Sequence, residues 1–146
     1  MKIFSTLLLG CMLLAAPALA VVPVAIEADE VIVRVPMPGR TVTAGYMTLR
    51  NLGAESRQLT AVQSEAFERI ELHTHTHVDG MMRMIEVDSI EVPAGGEAVL
   101  RPGGLHLMLF EPGLVLEEDG SIVLQLQFDD GTELAVTARL VMPPRR

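Results

Sequence analysis

Apolar and polar residues alternate with a period of two through most of this chain, in short runs separated by Gly, Pro, Asn or Asp. Successive strand residues point to opposite faces, so this pattern is typical of half-buried β-strands and not of long amphipathic helices. The final hairpin is the clearest case, because residues 122–128 and 134–140 carry matching apolar rows on either side of a turn at 129–131. The sequence therefore predicts an all-β sandwich of roughly seven to nine strands.

The remaining predicted strands are 31–35, 46–50, 59–63, 69–77, 97–100 and 105–110, and the turns between them fall at 51–53, 93–96 and 101–104. No internal repeat or linker divides them. We therefore expect one β-sandwich domain over residues 21–146.

Residues 1–20 have the pattern of an export signal. Lys2 supplies the positive charge, residues 3–14 are apolar, and Ala18-Leu19-Ala20 fits a small-residue cleavage site before Val21. Leu8-Leu9-Gly10-Cys11 also resembles a lipoprotein cleavage box, but the apolar run continues past Cys11, which favours ordinary cleavage. We expect a periplasmic protein with no transmembrane segment, because no later run approaches the roughly 20 apolar residues that a span requires.

Charge and cysteine content exclude several classes of protein. The formal net charge of −8 disfavours nucleic acid and anionic lipid as partners. The single cysteine, Cys11, lies within the predicted signal. The exported chain would thus have no disulfide and no thiolate ligand, which excludes a blue-copper electron carrier. No Ser-His-acid arrangement or phosphate-binding loop stands out, and we expect a protein that is not an enzyme.

Three histidines and three methionines fall within the stretch HTHTHVDGMMRM, residues 73–84. Strand alternation places Leu72, Thr74 and Thr76 on one face. The opposite face carries Glu71, His73, His75 and His77. If Leu72 points to the core, the histidines line the solvent side, where neighbouring imidazoles are plausible metal ligands.

A second cluster lies in Leu105-His106-Leu107-Met108-Leu109. The period of two separates the three leucines from His106 and Met108, although a methionine that only filled the core would share the leucine face. Met84 lies beside Met82 on a further strand face, and Met81 and Met82 are interpreted as packing or rim residues.

These side chains form a set of thioethers and imidazoles. Thioether sulfur is soft and selects Cu(I), imidazole suits copper or zinc, and zinc sites are built mainly from Cys, His and carboxylates. Neither donor forms disulfides in an oxidising compartment. The set is therefore suited to carrying copper outside the cytoplasm.

His73, Met84, His106 and Met108 together spell H-x10-M-x21-H-x-M. This spacing resembles the metal-binding signature of the PCuAC family of periplasmic copper chaperones. The surrounding segments TAGYMTLRNLG, RIELHTH, MMRM and EVPAGGEAVLRPGGLHLMLF resemble the family as well, so the likeness extends from about Val31 to Val141.

The resemblance implies a cupredoxin-like Greek-key β-sandwich that binds one Cu(I) through His73, Met84, His106 and Met108 at an exposed site. It also implies delivery of copper to the copper A centre of cytochrome c oxidase, alongside a Sco-type protein. We further expect a monomer.

Two residues fall outside the four-residue signature. His75 and His77, with Glu71 or Asp79 nearby, are candidates for an auxiliary Cu(II) or zinc site, for transient ligands during transfer, or for a solvated polar face. A copper or zinc buffering protein is therefore an alternative hypothesis. A copper enzyme with an open coordination position is a third.

Overall fold

In a computed structural model, residues 25–144 are described, and they form ten β-strands and no helix. Over that range no segment meets the length and apolarity of a membrane-spanning helix. The predicted export signal at residues 1–20, its cleavage near Val21 and the Cys11 lipoprotein box lie outside the described residues.

The strands, in chain order, are β1 Ile26–Arg34, β2 Val42–Asn51, β3 Arg57–Gln63, β4 Phe67–Val78, β5 Met81–Glu86, β6 Ile90–Val92, β7 Glu97–Leu100, β8 His106–Pro112, β9 Ser121–Phe128 and β10 Glu133–Val141. Each predicted strand corresponds to one of these. β5 was predicted only as a strand face that carries Met82 and Met84, without bounds. β6, three residues long, was not predicted, because a run that short between Ser89 and Pro93 carries no measurable alternation. The count of ten therefore exceeds the predicted number.

All ten strands are hydrogen-bonded into one continuous sheet. Its order is β5-β4-β8-β2-β1-β10-β9-β3-β6, and β7 pairs with β2 beside this path. The sheet folds over on itself, so that β3 lies against β4 and β6 against β7 without strand pairing between them. The two layers are joined where β1 pairs with β10, the one parallel pair among the described strands. The predicted all-β sandwich is confirmed.

The core lies between the two layers and follows the alternation seen in the sequence. Along β9, Ile122, Leu124 and Leu126 are buried, and the residues between them are exposed or half-buried. Ala138 and Leu140 of β10 complete the matching row of the hairpin. Burial of these apolar side chains is the main term that stabilises the sandwich.

Gly45 allows β2 to pass close to the neighbouring side chains of the core. A Cβ atom at this position would lie 3.2 Å from Leu109 Cδ1 and 3.3 Å from Val33 Cγ2. Any larger residue would therefore push against two fully buried side chains. β2 pairs with β8 at this point, with Gly45 opposite Leu107.

Asn51 is a buried polar residue at the turn predicted over 51–53. Its side-chain amide donates to the carbonyl oxygens of Glu55 at 2.7 Å and Val92 at 3.0 Å, and its side-chain oxygen accepts from Gly53 N at 2.9 Å. The buried side chain thus has hydrogen-bond partners for both its amide nitrogen and its oxygen, all of them backbone groups. Asn51 thereby ties the end of β2 to β6.

We expect Leu124→Ala to lower the free energy of unfolding by about 2–5 kcal/mol, because it opens a cavity in a core position that is 0% exposed. Urea denaturation measures this change. The neighbouring Val123→Ala is the control, since Val123 is 53% exposed on the other face of β9 and should change stability by less than about 0.5 kcal/mol. Equal losses in the two variants would contradict the assignment of the core face.

Candidate metal centre

The four signature residues come together on the outer face of β4, β5 and β8. β4 lies between the other two strands, and its Leu72 is opposite Leu107, both of them buried in the core. On the outer face His73 is therefore opposite His106. The same face holds the pairs Glu71–Met108 and His75–Met84. Directly opposed residues have Cβ atoms about 4.5–5.5 Å apart, so these side chains are neighbours.

His106 is held in one orientation by the backbone. Its Nδ1 donates to the carbonyl oxygen of Gly104 at 2.8 Å. A carbonyl oxygen can only accept, so the ring proton is on Nδ1 and, in the neutral imidazole, Nε2 carries a free lone pair. Burial lowers the pKa of His106, which favours that neutral form, although the bond to Gly104 opposes the shift.

Met84 lies directly against that lone pair. Its Sδ is 3.0 Å from His106 Nε2. A thioether sulfur has no proton to donate, so when the imidazole is neutral two hydrogen-bond acceptors, each with a free lone pair, face each other with no hydrogen between them. A soft cation accepts electron pairs from both atoms, and the donor set therefore fits Cu(I).

His73 presents a second free lone pair. Its Nε2 donates to Glu71 Oε2 at 2.8 Å, because a carboxylate only accepts, and in the neutral imidazole Nδ1 then carries the free lone pair. Among residues 25–144, His73 Nδ1 is the one buried side-chain nitrogen or oxygen without a hydrogen-bond partner. The cost of an unsatisfied buried atom is offset if it binds a ligand.

Glu71 forms an ion pair with Arg69, which in turn lies over Phe110, and the sequence analysis singled out neither of these two residues. Arg69 Nε lies 3.1 Å from Glu71 Oε1, and the Arg69 guanidinium lies over the ring of Phe110 at 4.2 Å from its centroid. Histidines that bind metals commonly donate their other N–H to such a carboxylate, which fixes the ring orientation. The sequence could have indicated this support, because Arg69, Glu71 and His73 are spaced two residues apart on β4 and therefore share one face.

The site is less open than the family resemblance implies. His106 is only 4% exposed, because Met84 covers its Nε2 and the rings of His73 and His75 lie at centroid distances of 5.8 and 5.1 Å. Met84 is 47% exposed and lies on the edge strand β5. The expectation of an exposed site therefore holds for Met84 but is wrong for His106.

The two extra histidines have different surroundings. His75 is half-buried beside His106, with Nδ1 at 3.5 Å from Gly104 O, whereas His77 is exposed opposite Met82 near the tip of the β4–β5 hairpin. Asp79 lies in the turn that joins the two strands. Across the described part of the chain, no group of three or more His, Cys, Asp or Glu side chains is arranged to hold a metal ion. An auxiliary Cu(II) or zinc site at His75 and His77 stays a prediction.

Comparison with known proteins agrees with the fold. A copper-bound PCuAC domain from PmoF2 superposes with a TM-score of 0.69 at 22% identity, over 82% of this chain and 94% of that domain. The Cu(I) form of DR1885 from Deinococcus radiodurans superposes with a TM-score of 0.64 at 29% identity, over 84% of this chain and 81% of its own. The predicted PCuAC resemblance and the cupredoxin-like β fold are thus confirmed.

Sequence comparison defines the family. The protein RP573 of Rickettsia prowazekii is 30% identical over 99 residues, which is 67% of this chain, and the chain spans 55% of that relative's length. The model of the family described as "Putative lipoprotein LpqE-like" matches residues 26–140, nearly all of the described domain. The chain therefore belongs to the LpqE-like family and has the fold of PCuAC domains.

Proposed function

We propose that this chain is an exported Cu(I) carrier, which binds one ion through His73, Met84, His106 and Met108 and delivers it to an acceptor protein. The observation that carries the proposal is the 3.0 Å approach of Met84 Sδ to His106 Nε2, where two lone pairs converge without a proton. The unpartnered His73 Nδ1 supplies a third donor on the same face. Met108, two residues further along β8 on the same face, supplies the fourth.

The choice of copper rests on the chemistry of the donors and on the relatives. Two thioethers and two neutral imidazoles favour a soft monovalent ion over zinc. DR1885 has been determined in a Cu(I) form and the PmoF2 domain in a copper-bound form. Both names support copper as the cargo of this chain.

Delivery requires that ligands of a partner protein reach the ion while the first ligands are released. Met84 is half-exposed and belongs to the edge strand β5, so an incoming ligand would displace its thioether first and buried His106 last. By resemblance, the acceptor is the copper A centre of cytochrome c oxidase, with a Sco-type protein as a second partner. The chain itself then catalyses no reaction.

Export to the periplasm is part of the proposal. The signal pattern at residues 1–20 and the description of the family as lipoproteins both favour an exported chain. The family description also supports lipidation at Cys11 as the alternative to cleavage near Val21. Either route puts the proposed copper site outside the cytoplasm, where thioethers, unlike thiols, do not form disulfides.

We expect Met84→Leu and Met108→Leu each to weaken Cu(I) binding by at least about tenfold with the fold intact, because each removes a soft donor and keeps an apolar side chain of similar volume. An anaerobic competition titration against a chromophoric Cu(I) chelator measures this. Met81→Leu is the matched control, since Met81 lies on the opposite face of β5. Unchanged affinity in the two site variants would contradict the proposed ligand set.

The number of tight equivalents in the same titration, read together with the loading of an acceptor protein, separates delivery from buffering. One tight equivalent per chain and loading of a specific acceptor support the carrier, whereas several tight equivalents and no preferred acceptor support a copper or zinc buffer. Zinc should bind more weakly and should depend on the histidines alone. Redox turnover with oxygen or peroxide would instead indicate a copper enzyme.

We expect Glu71→Ala to weaken Cu(I) binding by about 10–100-fold, the usual loss when the carboxylate that orients a metal-binding histidine is removed. The physical reason is that His73 Nε2 loses its hydrogen-bond acceptor at 2.8 Å, so the orientation and tautomer of the ring are no longer fixed. Competition titration again gives the value. Glu68→Ala, which removes an exposed carboxylate from the same strand, should leave the affinity unchanged, and equal effects of the two would indicate only a loss of surface charge.

A further inference from the structure

The β4–β5 hairpin carries a second histidine–methionine pair beyond the proposed copper site. His75 is opposite Met84, and two residues further out His77 is opposite Met82. Strand alternation puts both pairs on the face that holds His73 and His106. The row of imidazoles and thioethers therefore continues from the buried His106 to the tip of the hairpin.

The register of this pair is set by the turn. Asp79 and Gly80, the two residues between the strands, have φ angles of 51° and 77°. Two consecutive positive φ values define the tight turn that matches the twist of a hairpin and fixes which residues face each other. Cβ atoms of directly opposed residues lie about 4.5–5.5 Å apart, which allows an imidazole and a thioether to meet at one ion.

The His77–Met82 pair is more exposed than the His106–Met84 contact of the proposed copper site. Met82 is 56% exposed and His77 is exposed, whereas His106, the deepest predicted ligand, is 4% exposed. All six residues of β5 are exposed, and the strand is an edge of the sheet. A ligand from another protein, or an ion from solvent, can therefore reach His77 and Met82 directly.

We infer that His77 and Met82 form a second, weaker site for a soft monovalent cation, Cu(I), on the way into and out of the main site. Its role as a transient binding site during uptake and release rests on the proposed carrier function, but its ability to bind the ion does not. The donor pair, one imidazole and one thioether, repeats the His106–Met84 chemistry without the burial. Fewer ligands and open solvent make the site weaker, as an exchange site must be.

Met81 provides the matched control for Met82. The two residues are adjacent and equally exposed, at 56% each, but Met81 lies on the other face, opposite Val78 and not opposite a histidine. Both methionines can be replaced by leucine with little effect on stability, because the positions are exposed and the volumes are similar. Any difference in Cu(I) binding between the two variants then reports the contribution of the His77 imidazole, which is opposite Met82 only.

The test is an anaerobic Cu(I) titration of the exported chain, followed by NMR of the methionine ε-methyl groups and the histidine ring C–H groups. In the wild type, the first equivalent should shift Met84 and Met108, and the second should shift Met82 and His77. We expect Met82→Leu and His77→Ala each to weaken the second equivalent by about tenfold or more, while Met81→Leu leaves it unchanged. Unmoved Met82 and His77 signals, or an equal loss in Met81→Leu, would overturn the inference.

A variant without the main site separates this inference from the proposed function. In the double variant Met84→Leu, Met108→Leu, the Met82 and His77 signals should still move on addition of Cu(I). Loss of those shifts would mean that they were only transmitted from the main site, which overturns the second site. Failure of the first equivalent to bind in the wild type would instead overturn the carrier proposal. The NMR signals of His77 and Met82 would still test the second site.

Discussion

The antiparallel register of β4 with β8 is the constraint on which both the core and the site depend. It sets Leu72 opposite Leu107 in the core and, one residue on, His73 opposite His106 on the outer face. A slip of one residue would move every side chain of β4 to the other face, exposing Leu72 and burying imidazoles among leucines. The apolar burial that holds the sandwich together therefore also holds the predicted ligands in position.

Two fixed acceptors prepare the imidazoles before any ion arrives. His106 Nδ1 donates a hydrogen bond to the Gly104 carbonyl and His73 Nε2 donates one to the Glu71 carboxylate, so each neutral ring presents its other nitrogen with a free lone pair. Arg69, lying against Phe110, steadies Glu71 in turn. Little reorganisation of the two rings would then be needed when the proposed ligands bind an ion.

A gradient of burial along the predicted ligands suits the proposed carrier function, which needs both retention and release of the ion. His106 is enclosed, Met84 on the edge strand is half-exposed, and the His77–Met82 pair lies at the exposed tip of the hairpin. A carrier needs this asymmetry, because an acceptor must replace the ligands one at a time while the ion remains bound. An edge strand is suited to the outer ligands, since it has a neighbour on one side only.

The sequence by itself determined the all-β class and the two faces of β4 and β8, because alternation in a strand is a local property of the backbone. The four residues of the signature lie on one face of the sheet, and their role as ligands stays a prediction. The sequence also placed Glu71 beside the histidines. Tertiary structure alone decided that Met84 meets His106, that Gly104 and Arg69 support the site, and that β6 exists at all. These features depend on which strands pair and in what register, and such pairing joins residues far apart in the chain through the burial of the whole core, which no local pattern records.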